Sequence, residues 1–185
     1  MENSTKRNIL IIIASIAGFL LVAVLAIYLV FNSQFSLYQD SQYGLSIRYP
    51  SNWKVIPHPK PNVAVVFLRP KDTAMDTLQE NFNVTVQPLP DDTESITAFS
   101  AAIKRQMTGV FGKTIKVTED KPFQWGWRQG HEMAIDAPKP DHLKLVNAWV
   151  IAKGQAYILT YLGDLDKYDK DGFIVDEMIR SFQIQ

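Results

Sequence analysis

The stretch "YGLSIRYPSNW", Tyr43–Trp53, decides the fold class. Tyr43, Leu45, Ile47 and Tyr49 alternate with Gly44, Ser46 and Arg48, so an extended chain here has one apolar face. Pro50 has no N–H to give a ladder and ends the strand. Ser51-Asn52 has turn chemistry, which returns Trp53 toward the core. A half-buried strand that turns on a proline is the opening of a sheet-centred domain.

The residues after it extend the pattern. "WKVI" reads as a short second strand, and "PHPKP", Pro57–Pro61, as a stiff extended loop. "VAVVFLR", Val63–Arg69, is apolar on both faces and requires cover on both sides. "NFNVTVQPL", from Asn81, places Phe82, Val84 and Val86 on one face. Asp91–Thr93 supply capping oxygens, with Glu94 three residues after Asp91. Behind them Ile96, Phe99, Ile103, Met107 and Val110 recur at helical spacing, and Gly109 or Gly112 ends that helix. Strands follow: "KTIKVTE", "FQWGWR", "HEMAIDA", "LKLVNAWVIA" and "QAYILTYL", the last two joined by a tight turn at Lys153-Gly154. Ile174, Val175, Met178, Ile179 and Phe182 mark a C-terminal helix. Strands, a helix, more strands and a second helix predict an α+β domain with an antiparallel sheet covered on both faces.

Upstream, Ile9–Phe31 is a run of 23 residues without a charge. As a helix it is about 34 Å long, enough to cross a hydrocarbon core of ~30 Å. A cleaved signal peptide has a shorter apolar core and a small-x-small site after it, and "FNSQFS" has none. An uncleaved transmembrane helix over 9–31 is the expectation. Lys6 and Arg7 precede it and no Lys or Arg follows before Arg48, which puts residues 1–8 in the cytoplasm. Residues 32–42 read as a polar tether and 43–185 as an extracytoplasmic domain, periplasmic or lumenal. Ala14 and Gly18, four apart, suit close helix–helix packing, although ordinary membrane-helix composition gives the same spacing.

Composition excludes several functions. The 19 basic residues balance 19 acidic ones, without the basic excess of a nucleic-acid binder. No cysteine is present, which removes disulfides, thiolate nucleophiles and a lipidated Cys. His131 and Glu132 are adjacent on a strand and point to opposite faces, while His58 and His142 read as lying in separate proline-containing loops. No set of converging ligands results, and no metal site is expected. "DLDKYDKDGF", Asp164–Phe173, lacks the first and twelfth ligands of a calcium loop; Asp169 and Asp171 read as solvated or capping residues with weak cation affinity at most. Neither a nucleophile elbow nor a phosphate-binding glycine loop occurs. The expectation is a protein that is not an enzyme, carries no cofactor and is poorly suited to a small-molecule ligand.

"FQWGWR" is the candidate contact surface. As one strand it puts Phe123, Trp125 and Trp127 on a single face beside Arg128. Exposed, these are favoured anchors for a protein partner; turned inward, they pack the core, the commoner fate of such a stripe.

Two segments in the right order carry a family likeness. "YGLSIRYPSNW" resembles the opening of the PsbP-like family, in which a strand with alternating aromatics runs into Tyr-Pro-x-x-Trp. "GQAYILTYLGDLDKYDKDGFIVDEMIRSFQI" resembles its close, a hairpin strand leading through a polar loop into a helix ending in Ser-Phe. "FNVTVQPL" precedes a helix as in the family, and Gly130 stands where a hairpin glycine is expected. The likeness spans Tyr43–Ile184 and is to the extrinsic lumenal proteins of photosystem II and their bacterial relatives. It implies an α/β/α sandwich and non-catalytic work: an accessory or assembly subunit docked on a membrane complex, photosynthetic in the best-known members, with the complex's subunits as partners; the bilayer as a partner follows from the 9–31 helix, in which this chain departs from the family. The rival expectation is a stand-alone ligand-binding or envelope-stress module.

Overall fold

The computed structural model describes residues 16–26, 28, 30, 32–73, 76, 78–90, 95–111, 115–137 and 142–185. Two compact units result, Met1–Ser36 and Leu37–Gln185. In the first, residues 16–26, 28, 30, 32 and 33 are helical (α1). Most of the large apolar side chains of α1 are exposed, Phe19 at 73% and Leu21 at 69% among them. Among the described residues no helix is long and apolar enough to cross a membrane; residues 9–15, 27, 29 and 31 of the expected span, Ala14 included, lie outside the described residues.

The second unit is a mixed α+β domain, whose opening strand starts two residues before the unit boundary. Its elements are β1 (Phe35–Asp40), β2 (Leu45–Pro50), β3 (Lys54–Lys60), β4 (Val63–Leu68), β5 (Asn81–Pro88), α2 (Ile96–Phe111), β6 (Lys116–Trp125), β7 (Arg128–Ala137), β8 (Leu143–Ala152), β9 (Gln155–Asp164), α3 (Tyr168–Ser181) and β10 (Gln183–Ile184). Seven strands form one sheet in the order β3-β4-β5-β9-β8-β7-β6, with every pairing antiparallel. A small sheet, β1-β2-β10, accompanies it.

Strand periodicity sorts the core into two layers. On one face, Val65 and Phe67 of β4, Phe82 and Val84 of β5, Val146 and Ala148 of β8 and Leu159 and Tyr161 of β9 meet Leu45 and Ile47 of β2 and Val175, Met178 and Ile179 of α3. On the other, Met133 and Ile135 of β7 and Trp149 of β8 pack under Phe99, with Ile96, Ile103 and Met107 of α2 closing over them. The doubly apolar strands are therefore covered on both sides, as a sandwich requires. Polar groups are matched within these layers: Trp149 Nε1 donates to Ser100 Oγ at 2.8 Å, and Thr160 Oγ1 to Asn147 Oδ1 at 2.8 Å. The opening strand is tied to α3 by Arg48, whose amide donates to Ser181 Oγ and whose Nη1 reaches Glu177 Oε1, both at 2.9 Å.

Several expectations change. Residues 32–42 are not a plain tether, because Phe35–Asp40 form β1. "PHPKP" is extended but not a loop: Pro57 and Pro59 lie in β3, at the sheet edge, where a missing donor leaves no ladder bond unmade. The register slips between Pro57 and Lys60, and His58 takes φ +47, so the prolines sit at a bulge. Val110 is 70% exposed and off the buried face of α2. The expected cap at Asp91–Glu94 lies outside the described residues; Ser95 Oγ accepts the Ala98 amide at 3.1 Å. Gly130 is inside β7, not at a turn. The Lys153-Gly154 turn is as expected, with φ +53 and +70, the left-handed pair of a type I′ hairpin.

Candidate functional site

"FQWGWR" is a hairpin and not one strand. Trp125 of β6 pairs with Arg128 of β7, leaving Gly126-Trp127 as a two-residue loop. Gly126 has φ +56, which the first central position of a type II′ turn demands and a side chain would oppose. The reversal separates the aromatics that a single strand would have aligned. Phe123 and Trp125 pack against the core; Trp127 points out, 81% exposed.

Trp125 is fixed from three directions. Its Nε1 donates to the Ile179 carbonyl at 2.9 Å, its ring meets Phe123 edge-on at 5.0 Å, and Phe182 lies 5.3 Å away. Gly130 provides the space: a Cβ there would stand 3.3 Å from Trp125 Cε3 and 2.8 Å from the Trp149 carbonyl oxygen. The turn beyond is therefore held on a rigid base. Arg128 lays its guanidinium over the Trp127 ring, Cζ 4.0 Å from the centroid. Arg180 in the last turn of α3, with Phe182, Gln183 and Ile184, completes a cleft of about 350 Å³ beside the hairpin tip. An exposed tryptophan flanked by two arginines is chemistry that favours protein contact. Sequence reasoning reached Trp127 and Arg128 but missed Arg180, which only the fold of α3 brings there. Gly18, the other described residue expected in a contact, is helical, and a Cβ on it would meet nothing within 4 Å.

The histidines are more engaged than ordinary surface residues. His58 Nε2 lies 2.7 Å from Asp40 Oδ2. Asp40 is buried and also accepts the Tyr38 hydroxyl and the Tyr43 amide, each at 3.0 Å. Burial opposes ionisation of Asp40, but the Tyr43 amide, His58 and Tyr38 together hold its pKa below the usual carboxylate value. His131 stacks on Trp149 at 5.1 Å and bonds Asp120 Oδ1 at 2.6 Å; with Ser100 and Lys104 it lines a second cleft of about 310 Å³ between α2 and the β6–β7 hairpin. His142 stands 3.8 Å from Asp164 and 3.9 Å from Asp166, so their ligand atoms converge at an exposed position that spacing did not reveal. Asp171, read as solvated, is instead buried beside Arg69, which removes it from any calcium loop.

The PsbP family profile matches residues 33–184. The chain belongs to the PsbP family. The match begins ten residues before Tyr43, in keeping with β1 being part of the domain. The solution structure of cyanobacterial PsbP from Synechocystis sp. PCC 6803 is similar over 82% of this chain and 93% of that one, with a TM-score of 0.62 and 15% identity. LpqN of Mycobacterium tuberculosis, described as involved in cell envelope biogenesis, covers 82% and 91% at a TM-score of 0.59 and 9% identity. The Saccharomyces cerevisiae Ran-binding protein Mog1p covers 81% and 95% at 0.56 and 9%. At these identities the likeness is one of fold. No curated protein matches the chain.

Proposed function

We propose that this PsbP-family protein is a non-catalytic, membrane-anchored accessory or assembly subunit that docks on a membrane protein complex through the β6–β7 hairpin tip. The observation that carries the reading is Trp127, a large aromatic 81% exposed on a braced turn with Arg128 over its ring. A tryptophan held this way loses little conformational freedom on binding, which is where an anchor residue gains affinity. The anchor is residues 9–31, with the N-terminus cytoplasmic and the domain periplasmic or lumenal; the exposed apolar side chains along α1 support it, since such a surface is suited to lipid. Tethering keeps the domain near membrane neighbours and raises their effective concentration. Mog1p, similar in fold, is a Ran-binding protein, which is in keeping with a binding role. A photosynthetic complex is one setting, by analogy with cyanobacterial PsbP.

The test is purification of the full chain from native membranes in mild detergent. A co-purifying membrane subunit is expected, with W127A or R128A weakening its retention at least about tenfold. Migration of the wild-type chain as a lone monomer, or unchanged retention in both variants, overturns the reading. A second reading, a ligand-binding module, draws on the cleft lined by Thr97, Ser100, Lys104 and His131; it predicts a small molecule retained by the purified protein and lost in S100A.

A further inference from the structure

Two carboxyl groups are buried against each other beneath the first turn of α3. Glu80 precedes β5 and Asp171 lies in that first turn; each is 4% exposed. The cation facing both is Arg69, with Nε 3.4 Å from Glu80 Oε2 and 3.2 Å from Asp171 Oδ2. These contacts are not hydrogen bonds. Both Glu80 carboxyl oxygens, Asp171 Oδ2 and the Tyr161 hydroxyl are buried without a partner.

The surrounding charges are committed elsewhere. Arg69 Nη1 donates to both oxygens of Asp72, each at 3.0 Å. Lys167 Nζ lies 3.1 Å from Asp72 Oδ2 and 3.3 Å from Asp76 Oδ2. Tyr161 comes from β9, and its phenol lies over Gly163, where any Cβ would collide with the hydroxyl. Burial, with Glu80 and Asp171 adding to it, raises the Tyr161 pKa, so the phenol stays neutral. Tyr168, at the start of α3, is likewise raised by burial. Two buried carboxyls thus share one guanidinium that already serves Asp72. Two ionised carboxylates in such a place repel, and among the described residues both Glu80 oxygens and Asp171 Oδ2 lack the hydrogen bonds that stabilise a buried charge.

We propose that Glu80 and Asp171 hold one proton between them, and that this shared proton clasps the first turn of α3 to the β4–β5 connection, making the domain a sensor of pH. The proton turns one Glu80 oxygen into a donor aimed at Asp171, which gives that oxygen and Asp171 Oδ2 a partner in a single step. It resides on Glu80, whose neutral form burial and the neighbouring Asp171 both favour. A metal ion is a poorer occupant, since the positive Arg69 guanidinium already faces both oxygens it would need. The clasp lies outside the docking surface and does not depend on it.

The direction of the response follows. Burial, opposed by Arg69 and helped by Asp171, pushes the Glu80 carboxyl up to about 7. The folded chain keeps this proton longer than the unfolded chain does as pH rises. The clasp's contribution is complete below the ordinary glutamate range and is lost as pH rises through about 7.

The experiment is urea unfolding of the full chain from about pH 5 to 9, with ¹³C-carboxyl NMR of wild type, E80Q and D171N. The Glu80 resonance, identified by its absence in E80Q, is expected to titrate near 7. The unfolding constant rises by at most about tenfold per pH unit below that midpoint, and E80Q removes this share of the slope. D171N lowers the Glu80 midpoint, a readout that stands even if E80Q folds poorly. A Glu80 midpoint in the ordinary carboxylate range, an E80Q slope equal to wild type, or restoration of alkaline stability by calcium overturns the proposal.

Discussion

Asp40 and Glu80 are equally buried, at 4% exposure each, and yet they sit on opposite sides of the ordinary carboxylate pKa. Asp40 closes the β1–β2 turn, where the chain brings it the Tyr43 amide, the Tyr38 hydroxyl and His58. Glu80 ends the longer β4–β5 connection and among the described residues receives neither an amide nor a hydroxyl; a guanidinium at 3.4 Å and a second carboxyl face it, and the Lys167 charge also acts on it. Burial opposes the charge on both. The difference is whether the local backbone supplies donors to offset it.

The largest effect is expected at the satisfied site. D40A strands the Tyr43 amide, leaves the Tyr38 hydroxyl with only the Ala64 carbonyl at 3.4 Å and costs about 2–4 kcal/mol in urea unfolding; a loss below ~1 kcal/mol would show that the network does not constrain the fold. R69M removes the cation from Glu80, Asp171 and Asp72 and costs roughly 1–3 kcal/mol at alkaline pH, less in acid, where protons replace it. E80L inverts the sign: replacing the unpartnered carboxyl by an apolar group stabilises the chain by up to ~1 kcal/mol above neutral pH. The same substitution at Asp40 destabilises at every pH, so the pair of leucine variants reads the comparison directly.

The pH dependences oppose each other. Asp40 is depressed when folded, so its contribution is present above the ordinary aspartate range and lost as pH falls through its lower folded value. Glu80 is raised, and its contribution is lost as pH rises through about 7. Stability of the full chain is therefore expected to fall on both sides of a mildly acidic maximum, with D40N flattening the acid limb and E80Q the alkaline one. The smallest effect is W127A, within about 0.5 kcal/mol of wild type in unfolding, because an exposed side chain supports no core. A larger loss would mean that Trp127 is structural and not an anchor.

The core on both faces of the sheet was legible wherever burial imposed a period. Leu45 and Ile47, the doubly apolar β4 and the helical recurrence of Ile96, Phe99, Ile103 and Met107 all reflect which side faces the sheet. Errors arose where a rule of composition met tertiary context. The prolines of β3 read as a loop because their tolerance depends on lying at an edge, which is a property of strand order. "FQWGWR" read as one strand because alternation continues through a two-residue turn; the φ of Gly126 breaks it. Tyr38 and Asp40 read as tether because polarity hid a short strand.

The sequence by itself determined the family, the antiparallel α+β arrangement and which residues fill the core, because periodic burial is written into the order of apolar side chains. Tertiary structure alone decided that Trp127 faces outward while Trp125 does not, that Arg180 joins Arg128, and that Glu80 meets Asp171. These are encounters between residues far apart in the chain, and their energetics depend on distances and donors that no local pattern records.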